Sequence, residues 1–346
     1  MNELPALKEE DIRAVFDSIL EPALNWSMNA LNLVKSVEIE GRKVWIRAHI
    51  VTRDIDQLNG LRLEVTEKLR LLMPESVELN LRRVDVETEG TSGVGKIILV
   101  GSGKGGVGKS SVAVNVAASL KRQGYSVGLM DADIYGPSIP VLMEVKGRPE
   151  VLPHEYLMPI TAHGIKTMSV GYLLGKNRAA DWRGVVVTST LLQFIQRTFW
   201  GELDYLIVDL PPGTGDIQLS LAQRLTIAGV LLVSTGHTVA LSDVRRFADL
   251  CVKREIPMIG LVENMAGYVC ESCGTENHPM GVVDLDTDEI LGGLPRLASI
   301  PISREMAMIG RPIGMQEKPS PLRSLFDGIA RAVVETGDAG VGAQVA

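Results

Sequence analysis

The sequence predicts an α/β fold, a mainly parallel sheet covered by helices on both faces, preceded by a small α+β domain of order αββαβ. The large part is predicted by five apolar runs without alternation, Ile97 to Val100, Val127 to Met130, Tyr205 to Val208, Val230 to Ser234 and Ile256 to Val262, which alternate with helical patterns. Runs of that kind suit strands buried on both faces of a parallel sheet. The small part is predicted by a change of periodicity in the first eighty-odd residues, where alternating strands and amphipathic helices replace continuous apolar runs.

In chain order, a helical pattern runs from Lys8 to Leu20 with Ile12, Val15, Phe16 and Ile19 on one face. Strand-like Leu31 to Ile39 follows, then Val44, Ile46, Ala48 and Ile50 in strict alternation. A second helix carries Leu58, Leu61, Val65, Leu69 and Leu72 as one stripe, and a last strand alternates Val77, Leu79 and Leu81. Residues 85–95 (DVETEGTSGVG) are polar, glycine-rich and without periodicity, and are expected to link domain 1–84 to domain 96–335. A last helix is expected after Leu322, ending near Val334, with 336–346 as a disordered tail.

The chain has 346 residues, and 42 Asp+Glu outnumber 35 Lys+Arg for a formal net charge of -7. That balance leaves no electrostatic footprint for nucleic acid. There is no signal-like start and no apolar stretch of bilayer length, so a cytoplasmic protein without stable membrane insertion is expected. Three cysteines, Cys251, Cys270 and Cys273, are too few for a disulfide framework, which leaves the thiols available as metal ligands.

Gly103-Lys104-Gly105-Gly106-Val107-Gly108-Lys109-Ser110 fits the pattern G-x-x-x-x-G-K-[ST], directly after the run IILV and before the helical pattern Val112, Val116, Leu120. The glycines let the chain wrap a phosphate with backbone N–H groups pointing inward, and the following helix offers its positive end. The fold is therefore expected to be that of a P-loop NTPase. Lys109 is expected on the β and γ phosphates, Ser110 on Mg2+, and Ser111 beside the nucleotide. Asp209, at the end of the run YLIV, is the candidate outer partner of Mg2+. Asp131 and Asp133 end another strand, where a carboxylate could orient the attacking water or hold a magnesium-bound one; for Asp131, turn capping competes with that role.

Taken together, the GKGGVGKS loop with its extra lysine Lys104, DADIYGPSIP, DYLIVDLPPGTGDIQL, VENM and a late C-x-x-C resemble the Mrp/ApbC family of iron-sulfur cluster carrier ATPases, over Lys96 to Leu325. That family belongs to a wider group with nitrogenase iron protein, MinD and ParA, whose members work as nucleotide-sandwich homodimers. The resemblance implies that Lys104 reaches the partner's phosphates and that Asp133 is the switch I carboxylate assisting hydrolysis and holding magnesium. It implies a switch II segment of Asp209, Pro211, Pro212, Gly213 and Asp216, and a contact of Asn264 with the adenine edge, hence ATP. It also implies slow hydrolysis coupled to transfer of the cluster from upstream scaffold proteins to apo iron-sulfur clients.

Cys270 and Cys273 stand in VCESCG, a spacing that lets two thiolates converge on one metal or cluster. Two ligands do not complete four-coordination. In the resembling family the matching pairs of two subunits hold one 4Fe-4S cluster, which supplies four thiolates by symmetry. Half a zinc site with His278, a redox dithiol and a purely structural pair are the other readings. Cys251 lies among Phe247, Leu250 and Val252 and is expected to be buried and inert. His237 stands where the family has glutamine, and is expected either to line the nucleotide pocket or to sit on the surface.

The first domain resembles the small iron-sulfur assembly domain fused to such ATPases, but in degenerate form. TRDIDQ stands where that family has a cysteine, and Glu21-Pro22-Ala23 where it has Asp-Pro-Glu, so docking or regulation is the expected role. WRGVVV lacks the family's proline, and the acids after Cys273 replace a glycine-rich stretch, which bears on client recognition. The rival classes are a MinD/ParA-type partitioning ATPase, for which neither a basic amphipathic tail nor a basic patch is visible, and a nucleotide switch with a structural zinc site.

Overall fold

A computed structural model describes residues 5–84, 93–153, 156–173, 184–213, 217, 218, 221, 224–270, 272–282, 288–307 and 310–339, with the backbone alone at 184–190 and 337–339. The chain forms two compact units, one of residues 1–93, 150–158 and 193–202, the other of 94–149, 159–192 and 203–346.

In the first unit, helix α1 (Glu9–Val15) precedes a short hairpin, β1 (Leu20–Glu21) with β2 (Trp26–Ser27). Strand β3 (Val34–Glu40) runs antiparallel to β4 (Lys43–Ile50), helix α2 (Ile55–Arg70) crosses over, and β5 (Ser76–Arg83) lies parallel to β4. The alternation read in β4 is a burial pattern, with Val44, Ile46, Ala48 and Ile50 buried. Helix α2 starts on Asp54, whose carboxylate accepts from the backbone N–H groups of Asp56 and Gln57, and it buries Leu61, Val65 and Leu69 at every fourth position.

Two expected extents are corrected. The first helix stops at Val15, where the chain tightens into turns with the N–H groups of Asp17, Ser18 and Ile19 bonded to the carbonyls of Ala14, Val15 and Phe16, while Phe16 and Ile19 stay buried. The strand expected from Leu31 begins only at Val34, since Asn32 takes a left-handed φ of 54°. The unit also includes the later hairpin of β8 (Glu150–Leu152) and β9 (Tyr156–Met158), and its core takes in Leu152, Tyr156 and Phe199 beside Ile12, Phe16 and Val65.

The second unit is built on an eight-stranded sheet. In chain order its strands are β6 (Val94–Gly101), β7 (Val127–Asp131), β10 (Ile160–Ala162), β11 (Ile165–Ser169), β12 (Leu203–Asp209), β13 (Ile227–Ser234), β14 (Met258–Asn264) and β17 (Arg296–Ile300). Their spatial order is β10-β11-β7-β12-β6-β13-β14-β17, parallel except for the β10–β11 pair. All five strands expected from apolar runs are present, and β6 begins at Val94, inside the expected linker. The rest of that linker, 85–92, lies outside the described residues.

Between and after these strands lie helices α3 (Lys109–Arg122), α4 (Ile139–Leu142), α5 (Gly184–Arg197), α6 (Thr238–Lys253) and α7 (Pro321–Ala339). Buried Val112, Val116 and Leu120 of α3 meet Phe326, Ile329 and Val333 of α7 in one core with the sheet. Helix α7 runs through Ala339 rather than ending near Val334, so 336–339 of the expected tail is helical. One glycine at 337 costs about 1 kcal/mol, too little to halt a helix already propagating. In register, Asp209 stands beside both Val100 and Asp131, and Leu232 beside Gly101, so the carboxyl ends of the central strands open on one edge.

Candidate nucleotide site and cysteine hairpin

The phosphate loop follows from its backbone. Strand β6 ends at Gly101, and α3 begins at Lys109 on a cap residue, Gly108, with φ 81°. A Cβ at Gly108 would also strike the Asn264 amide nitrogen, so glycine is required there twice over, by conformation and by space. Asn264, buried at the end of β14, donates from Nδ2 to the Val107 carbonyl at 2.8 Å and fixes the loop from the side. On the other flank Gly103 packs so closely on Asp243 and Val244 of α6 that no side chain fits.

An open cleft of about 280 Å³ forms over this loop, lined by Lys104, Gly105, Gly106, Gly108, Lys109, Ser110, Ser111, Asp133 and Pro212 among others. These predicted residues, from the strand ends of β6, β7 and β12, are therefore brought together. Gly103 and Val107 lie in the loop wall, and Val107 is buried. Pro211 and Gly213 follow Asp209 along the same edge, whereas Asp216 lies outside the described residues. His237 does not line the cleft; its Nδ1 accepts from the Val239 N–H at 3.2 Å and caps α6.

At the floor, Lys109 Nζ donates to Asp209 Oδ1 at 2.5 Å, with the two side chains 6% and 0% exposed. Burial pushes the Asp209 carboxyl up, against the pull of Lys109. Asp131 is raised to about 7, first by burial and then by the charge of Asp209. It accepts from the Ile139 N–H and the Ser169 hydroxyl through Oδ2 and from the Asp133 N–H through Oδ1. Two of these contacts shape the turn after β7 and the third joins it to Ser169 at the end of β11, so of the two readings the structure favours the turn. Asp133, one turn further, accepts from Gly136 N–H and faces the cleft.

The other Asp209 oxygen, Oδ2, is buried and has no hydrogen-bond partner among the described residues. A buried orphan acceptor beside Ser110 fits a hydrated divalent cation, whose waters would satisfy it.

Two contributors were not singled out in the sequence. Ser102 holds the loop base, its hydroxyl donating to the Lys104 carbonyl and its carbonyl accepting from Gly213 N–H at 3.0 Å. Gln218 Nε2 donates to the carbonyls of Pro211 and Gly213, tying down the segment after Asp209. Only their neighbourhood to the motifs could have flagged them.

Four residues beyond Asn264, the chain forms a hairpin of β15 (Tyr268–Val269) and β16 (Glu276–Asn277) with Cys270 and Cys273 at its tip. Cys270 N–H donates to the Thr275 carbonyl at 2.9 Å and Gly274 N–H to the Cys270 carbonyl at 2.8 Å, closing a tight knuckle in which Gly274 has φ 72°. Cys273 is exposed, and its thiol donates to Thr275 Oγ1 at 3.3 Å. Hydrogen bonds from Thr275, and then from Cys270, lower its pKa. His278 is turned to the Ala266 carbonyl at 2.7 Å. Among the described residues no group of three or more His, Cys, Asp or Glu is placed to hold a metal ion, so the zinc reading lacks its third donor there. Cys251 is buried in α6, and burial pushes its thiol up to about 12, as an inert core thiol requires.

Comparison with known proteins agrees with this geometry. Residues 93–334 match the ParA-group family profile described as NUBPL iron-transfer P-loop NTPase. The chain is 40% identical over 263 residues to an iron-sulfur cluster carrier protein of Pseudomonas fragi, covering 73% of this chain and 92% of that one. It is 39% identical over 282 residues to the iron-sulfur cluster transfer protein NUBPL of Mus musculus, covering 77% and 86%. Among solved structures, a nucleotide-binding protein of Archaeoglobus fulgidus in complex with ADP superposes with TM-score 0.55 at 32% identity over 71% of this chain and 91% of that one. The cell division ATPase MinD of Pyrococcus furiosus, at 20% identity and TM-score 0.51 over 70% and 99%, shares the fold.

Proposed function

We propose that this chain, which belongs to the family of NUBPL iron-transfer P-loop NTPases, is an ATP-hydrolysing carrier that holds an iron-sulfur cluster on Cys270 and Cys273 and passes it to apo-proteins. The observation that carries the reading is the pairing of a complete phosphate cradle with a two-cysteine knuckle only six residues beyond Asn264, which grips that cradle.

In this reading Lys109 leaves Asp209 for the β and γ phosphates of ATP. Ser110, Asp209 and Asp133 hold Mg2+, which neutralises phosphate charge. The buried Asp209 Oδ2, without a partner among the described residues, supports that assignment. Asp133 positions the attacking water, and Asp216 belongs to the segment that responds to the γ phosphate. Lys104, exposed at the cleft mouth, supplies charge in trans to a second copy. Asn264 spends one N–H on Val107 and retains a second N–H and its carbonyl oxygen for the adenine edge.

Two sulfurs leave iron half-coordinated, so a homodimer completes one 4Fe-4S cluster with four thiolates. Hydrolysis shifts the population between a holding and a releasing arrangement. Upstream scaffold proteins load the carrier and apo iron-sulfur proteins receive from it. No described helix is long and apolar enough to cross a membrane, and the exchange is proposed to take place in the cytoplasm.

Anaerobic reconstitution with iron and sulfide tests this. The native chain is expected to give a brown chromophore with about four irons per dimer, and Cys270→Ala/Cys273→Ala none. Stoichiometric zinc without a chromophore, or a strictly monomeric chain under every ligand condition, would overturn the proposal.

A further inference from the structure

We propose that Thr275 is a positioning residue for the cargo, its hydroxyl donating a hydrogen bond to the Cys273 sulfur whenever that sulfur ligates iron. The inference rests on the reading that Cys270 and Cys273 hold a cluster.

With the thiols free, Cys273 donates to Thr275 Oγ1 at 3.3 Å. A sulfur bound to iron has no hydrogen to give. A hydroxyl has one donor and two acceptor sites and turns freely about its C–O bond. The same contact therefore survives loading with its direction reversed and no heavy atom displaced. Thr275 is held for the task from both sides: its own carbonyl accepts from Cys270 N–H at 2.9 Å, and the next residue, Glu276, pairs with Val269 in the hairpin. Gly274, in left-handed backbone between Cys273 and Thr275, folds the hydroxyl back onto the sulfur.

The two ligands are consequently unlike. Cys273 is exposed and faces a hydroxyl; Cys270 is half-buried and gives its backbone to the knuckle. A hydrogen bond to a ligating sulfur draws electron density from it, which stabilises the more reduced cluster and orients the ligand. Thr275 thus sets how firmly the Cys273 corner of the site is held.

The test uses the full chain reconstituted anaerobically as native protein, Thr275→Val and Thr275→Ser. Valine keeps the shape and removes the hydroxyl; serine keeps the hydroxyl. Two quantities are read, the midpoint potential of the cluster and the rate at which a ferrous-iron chelator bleaches the chromophore. Thr275→Val is expected to move the potential to more negative values and to bleach roughly tenfold faster, while Thr275→Ser follows the native chain in both. Equal behaviour of Thr275→Val and native protein, or a Thr275→Ser that follows Thr275→Val, overturns the proposal. Should Thr275→Val take up no cluster, uptake by Thr275→Ser supports the hydroxyl's role and its failure there overturns it. A native chain without a chromophore removes the cluster reading itself, a result distinct from a chromophore indifferent to Thr275.

Discussion

Lys109 and Asp209 carry opposite charges where almost no water reaches, and beside them lies a second buried carboxylate, Asp131. Removing one partner of such a pair leaves the other charge uncompensated, at a cost of about 3–5 kcal/mol. In Lys109→Ala the Asp209 carboxyl, already raised by burial, loses the cation that pulled it down. A carboxyl whose folded pKa exceeds its unfolded value favours the folded state below the unfolded pKa, and that advantage is lost as pH rises through the folded one. Lys109→Ala should therefore destabilise the nucleotide-free chain more at pH 8 than at pH 5.5, as read by urea denaturation. An equal penalty at both would mean that the pair is not ionic. The same variant should not hydrolyse ATP. Lys104→Ala should also lose hydrolysis while keeping the native urea midpoint, since Lys104 is exposed; normal turnover in Lys104→Ala would exclude a role in trans. Asn264→Ala, which frees the Val107 carbonyl, should raise the KM for MgATP about 3- to 10-fold, the worth of one hydrogen bond.

At the scale of elements, the strands of the central sheet were legible because burial on both faces demands unbroken apolar runs. The phosphate loop was legible because Gly103, Gly106 and Gly108 meet space or backbone demands that few other residues could, and the lysine and serine follow them at fixed spacing. Helix and strand ends were less so: the tight turns after Val15 and the left-handed Asn32 each reset the local backbone against the periodicity around them. Thr275 and Ser102 were not legible at all, and Gln218 only as a member of the run DYLIVDLPPGTGDIQL, since each is a polar side chain whose role arises from a neighbour in space. The knuckle offers a test at this scale. Gly274 at φ 72° has open space around it, so Gly274→Ala meets no clash and only backbone strain, about 1–2 kcal/mol. That strain should loosen the hairpin and reduce cluster retention on gel filtration after reconstitution, while Gly274→Asn, better suited to left-handed backbone, retains more. Equal retention by both variants would show that the knuckle's geometry does not govern binding.

At the scale of the whole chain, the first unit is discontinuous in a way that no composition shift reveals. Polar residues 85–95 read as a simple boundary, yet segments 150–158 and 193–202 belong with the N-terminal residues, and Leu152, Tyr156 and Phe199 lie in one core with Ile12, Phe16 and Val65. Tyr156 and Phe199 meet edge to face, their ring centroids 5.5 Å apart. Burying each such side chain contributes about 1.5–3 kcal/mol, and beyond the Tyr156–Phe199 contact itself the core they share is built from residues before position 93. A chain shortened to begin at Gly93 keeps the entire nucleotide loop and both hairpin cysteines but leaves those three side chains without their core. It should bind a hydrophobic dye, melt several degrees lower than the full chain and aggregate more readily. Replacing Tyr156 and Phe199 by serine in the shortened chain should restore part of its solubility, because the exposed apolar surface is what drives association. If the shortened chain melts like the full one and binds no dye, segments 150–158 and 193–202 do not owe their burial to the N-terminal residues.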